Sequence, residues 1–331
     1  MAKTQYLLTL ITLLFTLPSL ASPTVIDVKV TQASPQFTQT WGKLVGVRIL
    51  TSSLSWAEGP AWDASSQTLY FTDVPQSKLY QWRANEGVKM AMSPSGLAVG
   101  HEGFRETGIN GLIAPGNGTL LAANTGERRI DVISLSNWQK TPLIESADGR
   151  HFNSPNDLIQ SRTGDLFFTD PPYGLTGGDD SPLKQQPVNG VWHFDGKRVH
   201  LIDGTLTRPN GIVLMNNDTT LLVSNSSADN PVIMRYERDH QGHFGTPVRW
   251  FDMSAWITPE RWNGLPDGMA VTESGLVFAT GPGGLYVLSD SGSLAARITF
   301  DRPLANVALD EQNRTLFVAN QNRLLRLVFE Q

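Results

Sequence analysis

The chain has 331 residues, a net charge of -5, 40% hydrophobic and 17% charged residues, and no cysteine. That length suits one large all-β domain, and the composition is that of a folded protein rather than a disordered one. No basic block is present, so nothing offers nucleic acid or an anionic membrane an electrostatic footprint. The lack of cysteine excludes disulfides, thiolate nucleophiles and thiolate metal sites.

Residues 1–21 read as a signal peptide. Lys3 supplies the positive start, Tyr6 to Leu17 is an apolar run broken by Thr9, Thr12 and Thr16, and Ser19-Leu20-Ala21 fits the small-x-small cleavage rule. The run falls short of the ~20 apolar residues that span a bilayer. Cleavage, a secreted or periplasmic mature protein and no membrane association are therefore expected. Residues 22–44 are expected as an N-terminal extension and 45–331 as a single domain.

From Val45 onward one unit recurs. Its openings are Glu58-Gly-Pro-Ala-Trp, Asn110-Gly-Leu-Ile, Asn156-Asp-Leu-Ile, Asn210-Gly-Ile-Val, Asp267-Gly-Met-Ala and Asn306-Val-Ala-Leu, spaced by 52, 46, 54, 57 and 39 residues. After each opening come a turn and a second hydrophobic strand, such as Thr68-Leu-Tyr-Phe-Thr-Asp73 and Asp165-Leu-Phe-Phe-Thr-Asp170. A third strand follows, for example Lys78–Trp82 or Arg323–Val328. No long helical period appears. These units predict a six-bladed β-propeller with four-stranded antiparallel blades. The strand Val45–Thr51, ahead of the first unit, is expected to complete the last blade and close the ring.

In a propeller the first strand of each blade lines the central channel, so the opening residues gather at one mouth. Glu58, Asn110, Asn156, Asn210, Asp267 and Asn306 all carry oxygen acceptors. Two carboxylates in a narrow channel repel each other and lose solvation, and a divalent cation relieves both effects. Oxygen-only donors favour Ca2+, with Mg2+ and Mn2+ as alternatives; Zn2+ ranks last because no opening carries His or Cys. Asn-Gly and Asp-Gly are also turn dipeptides, so any single step reads first as a turn. Recurrence at one architectural position favours a site, while Asn110 and Asn306 keep the turn reading longest.

Loops joining second to third strands, and connections between blades, return to the same mouth. The longest such loop follows Asp170 and is a candidate lid, with Tyr173 placed to meet a ligand. Asn225, just past a second strand, is a further ligand-facing candidate, as is Asn110. Asp179 and Asp180 read as solvated. His101 and His151 lie on inter-blade connections and read first as surface histidines.

These openings, with their neighbours, resemble the family of gluconolactonases, senescence marker protein and luciferin-regenerating enzyme. The matching segments are Ala57-Glu58-Gly59-Pro60-Ala61-Trp62, Ser154-Pro155-Asn156-Asp157-Leu158, Thr169-Asp170-Pro171-Pro172-Tyr173-Gly174, Arg208-Pro209-Asn210-Gly211 and Leu265-Pro266-Asp267-Gly268-Met269. The resemblance implies one metal ion, usually calcium, held by Glu58, Asn210 and Asp267. It puts Asn156 beside the metal or its substrate and gives Asp267 the proton-handling role. Two departures stand out. Ser154 replaces the arginine of animal members, and Asn124-Thr125 replaces the Glu-His of many bacterial ones, so the substrate pocket is expected to differ.

The expected activity is metal-dependent hydrolysis of a sugar lactone, with the metal polarising the carbonyl and Asp267 assisting water. No Gly-x-Ser-x-Gly elbow is present, so no serine nucleophile is invoked. The alternatives are hydrolysis of another cyclic ester at the same site, and a secreted propeller that binds a ligand without turning it over.

Overall fold

The computed structural model describes residues 26–258 and 263–331. The expected signal peptide at 1–21 lies outside the described residues. Six antiparallel sheets form the blades of a propeller, five of them four-stranded and one five-stranded. Their innermost strands are Ala57–Asp63, Ile109–Ile113, Leu158–Gln160, Pro209–Met215, Met269–Val271 and Val307–Asp310. Each packs against the next, and the sixth returns against the first, so the ring is closed.

The second strands explain why the repeat is so visible in sequence. Thr68–Asp73, Leu166–Asp170 and Thr220–Asn225 are buried along their whole length. Neighbouring blades cover both faces, so the sequence reads as a continuous apolar run rather than an alternation. Outer strands are half solvated, as in Val199–Asp203, and carry polar residues. Phe71, Phe167, Phe278 and Phe317 fill the seams between blades. Among the described residues no helix is long and apolar enough to cross a membrane.

The orphan strand spans Lys43–Thr51 and pairs antiparallel with Arg323–Glu330, forming the outer edge of blade six. Residues ahead of it, expected as an extension, pack onto the ring. Lys29–Ala33 adds a fifth strand to blade five by pairing with Leu294–Thr299. A short helix, Pro35–Thr40, follows; Ser34 caps it by accepting from Phe37 N at 3.1 Å. Phe37 and Trp41 are buried against Phe278 and Phe329, sealing blade five to blade six. The strand itself, Lys-Val-Thr-Gln-Ala, is mostly exposed and polar, so no periodic signal marked it.

Candidate metal and substrate site

The opening residues do not sit in regular strand. In blades one, two and four the pairing of first and second strands slips between Glu58 and Ala61, Ile109 and Leu112, and Pro209 and Ile212. In blades three and five the strand begins two residues after Asn156 and Asp267. A bulge or a late start turns the opening side chain out of the pleat and toward the channel axis.

The glycine of each X-Gly step is set by close approach. A Cβ on Gly59 would sit 2.1 Å from the Asn110 carbonyl oxygen, and Gly59 has φ +49°. A Cβ on Gly211 would sit 2.2 Å from the Asp267 carbonyl oxygen. Each opening therefore touches the opening of the next blade, where no side chain fits. Second strands add hydroxyl support. Thr72 Oγ1 donates to Asn110 O at 3.0 Å, Thr169 Oγ1 to Asn210 O at 2.7 Å, and Ser224 Oγ to Asp267 O at 2.8 Å.

In blades one, three and four the residue closing the second strand steadies its own blade's opening. Asp73 accepts from Ser55 N at 2.9 Å and Trp56 N at 3.2 Å. Asp170 accepts from Asn153 N and Ser154 N, both at 2.8 Å. Asn225 Oδ1 accepts from Arg208 N at 2.9 Å, and its Nδ2 donates to Asn230 O at 2.9 Å. Both ends of the Asn225 amide are thus engaged with backbone, and Asn225 does not line the cavity below. It belongs with Asp73 and Asp170 as a residue that positions an opening.

A cavity of about 240 Å3 at this mouth is lined by Glu58, Asn110, Asn156, Asn210, Asp267 and Tyr173, together with Trp56, Arg105, Glu106, Ser226 and Leu265. Six residues singled out in the sequence therefore meet in one space. Asn306 lines a second cavity further along the channel, and its Oδ1 accepts from Val307 N at 2.8 Å. His101 is exposed and packs on Phe104, while exposed His151 lies in a two-stranded hairpin with Ser146–Ala147; neither lines the cavity. Asp179 pairs with Arg208 at 2.7 Å.

The cavity's electrostatics are dominated by four carboxylates. Burial, then the charge of Asp157, pushes Glu58 up to about 8, against bonds from Gly59 N at 3.2 Å and Trp56 Nε1 at 3.3 Å that favour its anion. Burial also raises Asp157 to about 7, although Leu158 N and Ile212 N donate to it. Glu106 is raised to about 7 by desolvation, moderated by Arg105. Asp267 is raised well above the carboxylate range by burial and then by the charges of Glu58, Asp157 and Glu106. Its Oδ1 is buried with no hydrogen-bond partner. A buried, partnerless carboxylate oxygen among other carboxylates is the environment a cation would neutralise. Among the described residues no three His, Cys, Asp or Glu side chains group as a metal site. The candidate donors here are two carboxylates with two amides, and an all-oxygen set of that kind fits a hard divalent ion.

Two loops roof the cavity and are joined to each other. Arg105 N donates to Gly174 O at 2.8 Å, Thr176 N donates to Gly103 O at 2.9 Å, and Phe104 bridges Leu175. Tyr173 Oη donates to Ser226 O at 3.4 Å, and burial raises its hydroxyl above the usual range. Trp56, Arg105, Glu106, Ser226 and Leu265 were not foreseen. The connection carrying Glu106 was expected at this mouth, but it lies outside the repeat, so no periodic position marked it.

The SMP-30/gluconolactonase/LRE-like region matches residues 56–322. A gluconolactonase of Zymomonas mobilis is 34% identical over 305 residues, covering 90% of this chain and 85% of that one. The chain belongs to the SMP-30/gluconolactonase/LRE-like family. Solved structures agree on the family's propeller. A gluconolactonase of Xanthomonas campestris superposes with a TM-score of 0.77 at 24% identity, over 92% of this chain and 96% of its own. Regucalcin of Agrobacterium tumefaciens, described as a calcium-binding protein, gives 0.65 at 15% identity, over 87% and 96%. Both likenesses concern the fold. Within the family's matched region lie all six opening residues and both roof loops.

Proposed function

We infer that the protein is a lactonase that opens sugar lactones at the mouth of the propeller channel, with Glu58, Asn156, Asn210 and Asp267 holding one divalent cation, Ca2+ first among the candidates. The enzyme class follows from the family and from the 34% identical gluconolactonase: the chain is a lactonase. The observation that carries the site is the meeting of Glu58, Asn156, Asn210 and Asp267 in one cavity, with the Asp267 Oδ1 buried and partnerless. The regucalcin relative, described as calcium-binding, supports the choice of ion.

Such a cation supplies Lewis-acid polarisation of the lactone carbonyl. The chain's own residues do the rest. Asn110, Asn156 and Tyr173, which line the cavity, orient the ring. Trp56 and Leu265 exclude bulk water around it. Asp267 is the base that takes the proton of the attacking water; a carboxylate held by a cation is a weak base, so the same cation would also have to acidify that water. When the ring C–O bond breaks, the alkoxide stays part of the product and takes up the proton that Asp267 accepted; with no Gly-x-Ser-x-Gly elbow, no covalent enzyme intermediate is invoked. The signal-like residues 1–21 support a secreted or periplasmic location.

The test is turnover of aldonolactones and of non-sugar cyclic esters by purified protein, before and after chelation and after restoring Ca2+. Chelator-sensitive opening of aldonolactones supports the reading. Activity confined to other cyclic esters points to the alternative substrate class, and binding without turnover points to a ligand-binding propeller.

A further inference from the structure

Resting on the lactonase reading, we propose that Glu106 is the specificity-determining residue that selects polyhydroxylated lactones by accepting hydrogen bonds from their ring hydroxyls. Glu106 lines the same cavity as Glu58 and Asp267 but lies on the connection between blades one and two, outside the repeated openings. Its side chain is 21% exposed, and Arg105 Nη2 reaches its Oε1 at a long 3.4 Å. Among the described residues no protein donor bonds the second oxygen, Oε2. Its backbone is held firmly: Glu106 N and Arg105 N both donate to Gly174 O, next to Tyr173 on the lid. The carboxylate is thereby placed on the cavity wall by the junction that also places Tyr173.

The chemistry narrows what this carboxylate can meet. An anion repels the oxyanion that develops on a lactone carbonyl, so Glu106 cannot serve that end of the substrate. It accepts hydrogen bonds and donates none when ionised, so its partners are O–H groups. Two neighbouring ring hydroxyls match the two carboxylate oxygens. A lactone without hydroxyls leaves a partly desolvated carboxylate unpaired, and sites built to bond a hydroxyl reject the analogue lacking it. Arg105 moderates the rise that burial imposes on Glu106 and aims its carboxylate, while leaving capacity for ligand.

The experiment compares D-glucono-1,5-lactone with δ-valerolactone, which has the same ring and no hydroxyls. Steady-state constants are measured for the wild type and for Glu106→Gln, an isosteric change that replaces one acceptor with a donor and leaves the other neutral. The ratio of kcat/KM for the two lactones should fall by about tenfold or more in the variant, chiefly through a higher KM for gluconolactone. An equal fall for both substrates would overturn the proposal, since that marks proton handling or damage to the roof. An unchanged ratio would overturn it as well. If Glu106→Gln does not fold, Glu106→Asp keeps the charge but withdraws it by one methylene, and the same ratio must shift in the same direction. Failure of the wild type to open either lactone would instead sink the lactonase reading itself, and this inference with it.

Discussion

The two halves of the central channel are built from the same six strands and have opposite chemistry. At the upper mouth the strand openings present Glu58, Asn110, Asn156, Asn210 and Asp267 to a cavity with buried, mutually repelling carboxylates. Further along, the same strands line a second cavity of about 270 Å3 with Ala61, Leu112, Ile159, Ile212, Val213 and Val307. Openings leave the pleat through bulges or late starts, whereas the strand bodies stay paired and pack. Stability thus resides in the strand bodies, and the means for chemistry in the one or two residues before them. Asp157 sits at the boundary: it takes the place of the glycine found in four of the other five openings, and lines the second cavity while its charge reaches Glu58 and Asp267.

That division makes the upper and lower channel respond differently to substitution. On the proposed reading, Asp267→Asn removes the proton acceptor and a cation ligand while keeping shape. It should lower kcat/KM for a hydrolysed lactone by about 10²–10⁴-fold with the circular-dichroism spectrum unchanged. Residual activity within a few-fold of wild type would show that Asp267 does not handle the proton.

Asn225 tests the link between strand ends and openings. Asn225→Ala frees the backbone of Arg208, two residues before Asn210, and should cost about tenfold in kcat/KM through misplacement of that opening. Asn225→Asp should recover most of this, because aspartate does the same duty at Asp73 and Asp170. Equal loss in both variants would contradict a positioning role.

Acidity gives a third contrast. Glu58 is raised to about 8, and Glu106, Asp157 and Asp170 to about 7. A carboxyl whose folded pKa is raised holds its proton more tightly in the native state. Its contribution is whole below the unfolded pKa, near 4, and is lost as pH climbs through the folded value. Chelated protein should therefore show a falling Tm between pH 5 and pH 8. Added Ca2+ should flatten the fall, because it replaces the protons as the partner of Glu58 and Asp267. A Tm that rises over this range in chelated protein would contradict the assignment.

The smallest effect belongs to the lower channel. Val213→Ala should cost about 2 kcal/mol of stability through the cavity it leaves, read as a lower Tm, with kcat within about twofold of wild type. A large loss of kcat would mean that the two halves are not separable.

Much of this was legible because a ring repeats its chemistry. The acceptor that opens each unit, and the buried apolar run of each second strand, recur six times and point to both fold and channel mouth. The Asn-Gly and Asp-Gly steps also match turn dipeptides, yet their glycines answer to the next blade's backbone, a contact between residues some fifty positions apart. The backbone contacts of Asn225 escaped the sequence for a related reason. Its position at the mouth was readable, but the backbone groups that occupy its amide, Arg208 N as donor and Asn230 O as acceptor, lie in segments without regular structure. Lys29–Ala33 left no trace because an edge strand with one thin buried stripe has no pattern to show. Glu106 and Trp56 enter the cavity from irregular segments, where neither periodicity nor spacing assigns a side chain to a place.

The central claim is that Glu58, Asn210 and Asp267 share one cation at the upper mouth. Calorimetric titration of chelator-stripped protein with Ca2+ tests it most directly, using wild type and Asp267→Asn side by side. The account predicts a single Ca2+ per chain in the wild type and binding weakened beyond detection in the variant. Undiminished binding in Asp267→Asn, or no binding of any divalent ion by the wild type, would contradict it.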